Sequence, residues 1–428
     1  MKKPVVKKLQ NGMSVILVPQ KGATSMTIMV YVRVGSRYET KEINGASHFI
    51  EHLMFKGTKR RPNTLAISQE LDRYGAEYNA MTSKDCTTYY IKMDAAHTGL
   101  AIDLLHDMLF HSTYDKKELD RERGVIVEEI NMYEDNPRMH IDDLMEEAMY
   151  PDSTLGWSIT GPREVVRTVP RSALIDYRDR YYIPARITIV VAGKINPDTM
   201  SCVEKTFGTV SQPKKKEDTA FIPFQVPEKL LHPVTLQTKE TEQLQLGMSF
   251  YGFPIGAKEV PAANLLGLIL GGTMSSRLFI QVRERRGLCY SISASHTCLE
   301  DSGAFQVMAG LEKTRLPEAT KVIWQELRKM TRELVRPDEL RRSKDHLRGK
   351  LMLALEDSSV YADWYGKQWV FQQKLQTPEE RLATFEKVTS ADIRAVAKKI
   401  FNPAMMTAAV IGPYPKKSTL EAIFRFNP

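Results

Sequence analysis

An apolar strand that follows a proline and closes on a glycine occurs twice, at residues 183–193 and 402–412, with Pro184 and Pro403 separated by 219 residues. The likeness extends upstream: residues 117–121 (Lys-Glu-Leu-Asp-Arg) parallel 338–342 (Asp-Glu-Leu-Arg-Arg), and Val169 and Val388 each open a helical pattern. Self-similarity at that period means two copies of one domain, and 428 residues exceed what one hydrophobic core organises. The expected division is a first copy over residues 1–210, a linker over 211–231 and a second copy over 232–428. The linker is rich in proline, lysine and acidic residues and keeps no regular period.

Within the first copy, strand patterning marks residues 14–18, 25–34, 77–81, 87–93 and 187–192. A helical period marks 46–55, 64–74, 97–110, 116–133 and 171–181. That order is α+β, not the alternating strand–helix–strand pattern of a parallel sheet.

Four residues apart on the expected helix 46–55, His48 and His52 lie on one face a turn apart, where both imidazoles reach one metal ion. Glu51 sits between them, better placed to accept a proton from water than to ligate, as a general base. A catalytic zinc needs a third protein ligand and an open position. The helix 116–133 offers candidates: Val125, Ile126 and Ile130 are spaced for a buried face, while Glu122 and Glu129 are seven apart along one side. One of these can ligate while the other supports the site. The second copy has Ala262 to Leu270 in the comparable stretch and no such motif, so the expectation is one zinc ion per chain. The other seven histidines, His97, His106, His111, His140, His232, His296 and His346, have no partner at ligand spacing.

His-x-x-Glu-His with a distant glutamate is the inverted zinc motif. With Gly45 to His48, Phe55 to Thr58, Asn79-Ala80, Thr82-Ser83, Ser276 to Phe279 and Arg283 to Tyr290, the chain resembles the pitrilysin, insulin-degrading enzyme and mitochondrial processing peptidase family over essentially its whole length. The resemblance implies two α-β roll domains, each an antiparallel sheet with helices packed on one side. It implies His48, His52 and Glu129 as zinc ligands, with Glu128 the fallback for the third, and Glu51 and Glu122 as catalytic and supporting carboxylates. A peptide substrate would add as a strand to an exposed edge at Asn79 and Ala80, and Arg283 and Tyr290 would bind its backbone or help stabilise the oxyanion. In related enzymes the second-half segment faces the zinc domain across a closed chamber. In a half-length chain that implies a homodimer. The activity implied is a zinc endopeptidase acting on peptides or unfolded segments; the alternative is an idle or partner-dependent subunit of a processing complex.

Composition fits this and excludes other classes. No stretch reaches the roughly 20 apolar residues of a membrane span, and residues 1–10 lead into a strand rather than a signal-peptide core. Cys86, Cys202, Cys289 and Cys298 show no CxxC spacing, which favours free thiols and a cytoplasmic location. The net charge of +8 is scattered, its densest run being Lys214 to Lys216, with no aromatic interleaving, so a nucleic-acid partner is not expected.

Overall fold

The computed structural model describes residues 3–212, 220–230 and 233–425. Residues 213–219 and 231 of the expected linker, with the Lys214 to Lys216 run, and His232 lie outside them.

The first part of the chain forms strands β1 (Val5–Lys8), β2 (Ser14–Pro19) and β3 (Ser25–Val32), then helices α1 (Ala46–Met54) and α2 (Thr64–Asp72). Next come β4 (Glu77–Thr82), β5 (Thr87–Asp94), α3 (Thr98–His111), α4 (Lys116–Asp135) and α5 (Pro137–Met149). Helices α6 (Arg163–Thr168) and α7 (Arg171–Tyr181), β6 (Ile187–Gly193) and α8 (Thr199–Thr206) follow. The second part runs β7 (Val234–Thr238), β8 (Leu244–Tyr251), α9 (Val260–Gly271), β9 (Cys289–Cys298), β10 (Gly303–Leu311), α10 (Leu316–Arg332), α11 (Pro337–Ala354) and α12 (Ser358–Gln372). It closes with α13 (Pro378–Glu386), α14 (Ser390–Ile400), β11 (Thr407–Gly412) and α15 (Lys417–Ile423).

The sheets have the orders β1-β2-β6-β3-β5-β4 and β7-β11-β8-β10-β9. Replacing β2, β6, β3, β5, β4 by β7, β11, β8, β10, β9 maps one onto the other, with β1 extra, so the repeat is a repeat of topology. Each sheet is antiparallel except for one parallel pairing, β2 with β6 and β7 with β11. Geometry forces it. Strand β6 inserts between β2 and β3, which run in opposite directions, and pairs antiparallel with β3; it must therefore run parallel to β2.

The chain forms two compact units that are not continuous in sequence. One comprises Met1–Ile130, Ser158–Ile222 and Met352–Thr377; the other Asn131–Trp157, Pro223–Leu351 and Pro378–Pro428. Each sheet thereby carries, besides the helices on one side, a helix on its second face drawn from the other part of the chain. Alternation along β3 shows the arrangement: Met26, Ile28, Val30 and Val32 join the main core. The intervening Thr27 and Tyr31 face α12, through Thr27 Oγ1 with Ser358 Oγ at 2.8 Å and the Tyr31 hydroxyl donating to Asp363 Oδ1 at 2.8 Å. In the second unit Met248 and Phe250 of β8 join the core, while Ile141 and Met145 of α5 pack on Ala409 and Ile411 of β11. Strands covered on both faces carry uncharged runs such as Ile187–Gly193, buried at every position.

Both borrowed helices make a close approach at a glycine. A Cβ at Gly366 of α12 would lie 2.1 Å from the Tyr31 ring, and one at Gly247 of β8 would lie 1.9 Å from Met145 Sδ. Gly349 of α11, by contrast, faces open space. Alanine in a helix interior normally stabilises relative to glycine by about 0.5–1 kcal/mol. Gly349→Ala should do so, whereas Gly366→Ala should destabilise by about 1–3 kcal/mol through overpacking. Denaturant midpoints of the two variants check the opposite signs; equal shifts would contradict the packing described.

Candidate metal centre

Helix α1 starts at Gly45, whose φ of 98° and whose contact with the Thr160 carbonyl, 2.5 Å from any Cβ placed there, admit no side chain. No side chain of the helix itself caps it. Instead the buried Glu39 carboxylate accepts the Gly45 and Ser47 N–H groups, each at 2.7 Å, and the Asn44 side-chain amide at 2.9 Å. A negative group here meets the positive end of the helix dipole. Burial pushes the Glu39 carboxyl up to about 7, against the pull of those bonds.

Phe49, Ile50, Leu53 and Met54 fasten α1 into the core and leave His48, Glu51 and His52 along one side. On α4, Leu119, Ile126, Val127 and Ile130 are buried. Val125, expected on that face, is 46% exposed, because one step of about 100° from Ile126 carries it off the stripe. Packing of α1 and α4 in the same core brings Glu122 and Glu129 to the histidines.

His48 Nε2 and His52 Nε2 are 3.3 Å apart, and Glu129 Oε2 lies 3.6 Å from the first and 3.4 Å from the second. Among the described residues these three form the only group of His, Cys, Asp and Glu side chains close enough to share a metal ion. Bonds of 2.0–2.1 Å at tetrahedral angles place donors about 3.3–3.4 Å apart, so the observed triangle fits zinc with a fourth position left for solvent. Glu128 is not part of the group.

Glu122, 2% exposed, stands behind the triangle. Its Oε1 accepts from His52 Nδ1 at 2.8 Å, which leaves the His52 Nε2 lone pair for the cluster. Both Glu122 oxygens are taken up, one by His52 and the other by Lys56. Burial alone would raise its carboxyl; the bonds from His52 and Lys56 outweigh that and hold it below the usual range. Burial likewise would lower His52, but hydrogen bonds to Glu122 and Glu129 raise it to about 9. Glu129 is held well below the usual carboxylate range by its bonds to His48 and His52.

Glu51 Oε2 accepts a hydrogen bond from the Thr82 hydroxyl at the end of β4. Strand β4 is an edge among the described residues: there it pairs with β5 alone, and its residues Glu77, Asn79 and Met81 are exposed. Asn79 and Ala80 lie on it, the Asn79 side-chain oxygen accepting the Ala80 N–H at 2.9 Å. Arg283 and Tyr290 belong to the second unit. They stack, the guanidinium 5.3 Å from the Tyr290 ring, which is 70% exposed, and 4.7 Å from Phe279. Sequence reasoning missed Glu39 and the Thr82 and Lys56 partnerships. For Glu39 the available signal was a helix start with no Ser, Thr, Asp or Asn at the cap.

Comparison with known proteins decides the family. The model of insulinase, peptidase family M16, matches residues 14–163, and that of the peptidase M16 inactive domain matches residues 168–347. The chain belongs to peptidase family M16. Relatives in the family include the "uncharacterized zinc protease YmxG" of Bacillus subtilis, 37% identical over 92% of this chain and 94% of its own. A zinc protease of Rickettsia felis is 32% identical over 95% and 97%. The M16 fold is also that of a solved protease from Helicobacter pylori, which superposes with a TM-score of 0.88 at 22% identity, over 96% of this chain and 99% of that one.

Glu39 gives the M16 centre a pH-sensitive support. A carboxyl raised from 4.5 to about 7 contributes stability that is full below about 4.5 and lost as pH rises through about 7. In Glu39→Gln, which also sets an amide N–H against a backbone donor, that loss is absent. The stability gap between wild type and variant should therefore narrow by on the order of 2 kcal/mol between pH 4.5 and 7.5. Denaturation midpoints across that range test it, and a constant gap would contradict it.

Proposed function

We propose that this chain is a zinc-dependent endopeptidase that hydrolyses peptides or unfolded segments held in extended form. The observation that carries the reading is the triangle of His48 Nε2, His52 Nε2 and Glu129 Oε2, with edges of 3.3, 3.6 and 3.4 Å, beside a carboxylate tied to an open sheet edge. The names of the relatives, zinc proteases in Bacillus subtilis and Rickettsia felis, support it.

In this reading His48, His52 and Glu129 hold one zinc ion per chain. Zinc bound there supplies Lewis acidity to a water molecule and to the scissile carbonyl. Glu51 takes a proton from the attacking water while the water oxygen bonds to the carbonyl carbon. The same carboxyl then gives that proton to the amine nitrogen as the C–N bond breaks. Thr82, by occupying Oε2, fixes the carboxylate and leaves Oε1 to move the proton. The substrate lies as an added strand along β4, where its backbone replaces the Asn79 side chain at the Ala80 N–H. Arg283, half-buried, and the exposed Tyr290 that it stacks on bind the peptide backbone. The enzyme acts as a homodimer in the cytoplasm; its four free cysteines, and a set of described helices none of which is long and apolar enough to cross a membrane, agree with that setting.

Glu51→Gln should keep one zinc per chain and lose about a hundred- to ten-thousand-fold in turnover of a mixed peptide library read by mass spectrometry. His48→Ala and Glu129→Gln should lose the zinc as well. Near-normal cleavage by Glu51→Gln would remove the assignment. Sedimentation velocity checks the assembly: a monodisperse monomer that keeps full activity on dilution would overturn the dimer.

A further inference from the structure

Beyond the cluster itself, the second oxygen of Glu122 is held by Lys56, Nζ to Oε2 at 2.6 Å. Lys56 lies in the turn just past Phe55, the residue that caps the end of α1. Its backbone is fixed: the Lys56 N–H donates to the Leu53 carbonyl at 3.1 Å, and the Gly57 carbonyl accepts the Thr113 N–H at 3.1 Å. Gly57 has φ 126°, and a Cβ there would lie 2.6 Å from the Pro62 carbonyl oxygen, so the chain can turn away only after Lys56 has been delivered. The lysine side chain is 23% exposed against 3% for its partner.

A glutamate side chain has three rotatable bonds, and one hydrogen bond leaves the carboxylate free to swing about the bonded oxygen. Two bonds to two oxygens fix its plane. Here His52 Nδ1 takes one and Lys56 the other, and Lys56 touches none of the three triangle atoms. We infer that Lys56 is a positioning residue for the metal centre, locking Glu122 so that the His52 ring presents Nε2 to zinc. This rests on the zinc reading above. Partners behind a ligating histidine typically contribute about 10- to 100-fold to metal affinity, and the structure extends that set by one residue, to a lysine that no spacing rule for ligands would select.

The test is zinc affinity of the metal-free full chain by competition with a chromophoric chelator. The proteins are wild type, Lys56→Met, Lys56→Arg, Glu122→Gln and the double variant Lys56→Met/Glu122→Gln. Zinc binding by wild type tests the zinc reading separately: no binding there would remove that reading and this inference with it. Given wild-type binding, Lys56→Met should weaken zinc by about 10- to 100-fold and Lys56→Arg should restore most of it. The double variant should match Glu122→Gln within about threefold, because a residue acting through Glu122 has nothing left to act on. Wild-type affinity in Lys56→Met, or a full additive loss in the double variant, would overturn the inference. If Lys56→Met does not fold, Lys56→Gln, which also removes the cation, takes its place in the same cycle: coupling to Glu122 supports the inference and additivity overturns it.

Discussion

The apposition of α1 and α4 in one core is the constraint on which the candidate centre depends. Two imidazoles come from one helix and the carboxylate from another far along the chain, so the 3.3–3.6 Å triangle exists only while Phe49, Ile50 and Leu53 on one side and Ile126, Val127 and Ile130 on the other fix the spacing. Close packing makes such a spacing stiff. Around it the polar groups are arranged in depth: Glu39 closes the start of α1, Glu122 and Lys56 hold its end, and Thr82 ties Glu51 to the sheet edge. Each bond satisfies a group that burial would otherwise penalise.

The two copies of the domain show what a repeat keeps and what it frees. Strand order, the inserted parallel strand and the exchange of equivalent helices α5 and α12 are common to both. Chemistry is not. Helix α9, which corresponds to α1, is apolar through Leu265, Leu266, Ile269 and Leu270 and carries no ligand set. The match of residues 168–347 to a domain described as inactive agrees with that difference. A fold this tolerant lets one copy keep the demanding polar arrangement while the other keeps only the packing.

Much of this was legible in the sequence, for identifiable reasons. The i, i+4 histidines and the seven-residue step from Glu122 to Glu129 are helix geometry, which is local, and the strands of the first copy fall close to where alternation puts them. Three things were not legible. Which helix covers the second face of a sheet is a tertiary matter, visible only in close approaches such as Gly366 on Tyr31 and Gly247 on Met145. The parallel pairings follow from an insertion order that no local period encodes. Glu39 and Lys56 act on helix ends from flanking turns, so their partners are set by the turn, not by a spacing.

Zinc K-edge X-ray absorption of the chain loaded with one equivalent of zinc tests the central claim most directly. The account predicts a first shell of nitrogen and oxygen alone at about 2.0–2.1 Å, with outer-shell scattering from two imidazoles. Sulfur at about 2.3 Å, or a shell with fewer than two imidazoles, would place the metal elsewhere and contradict it.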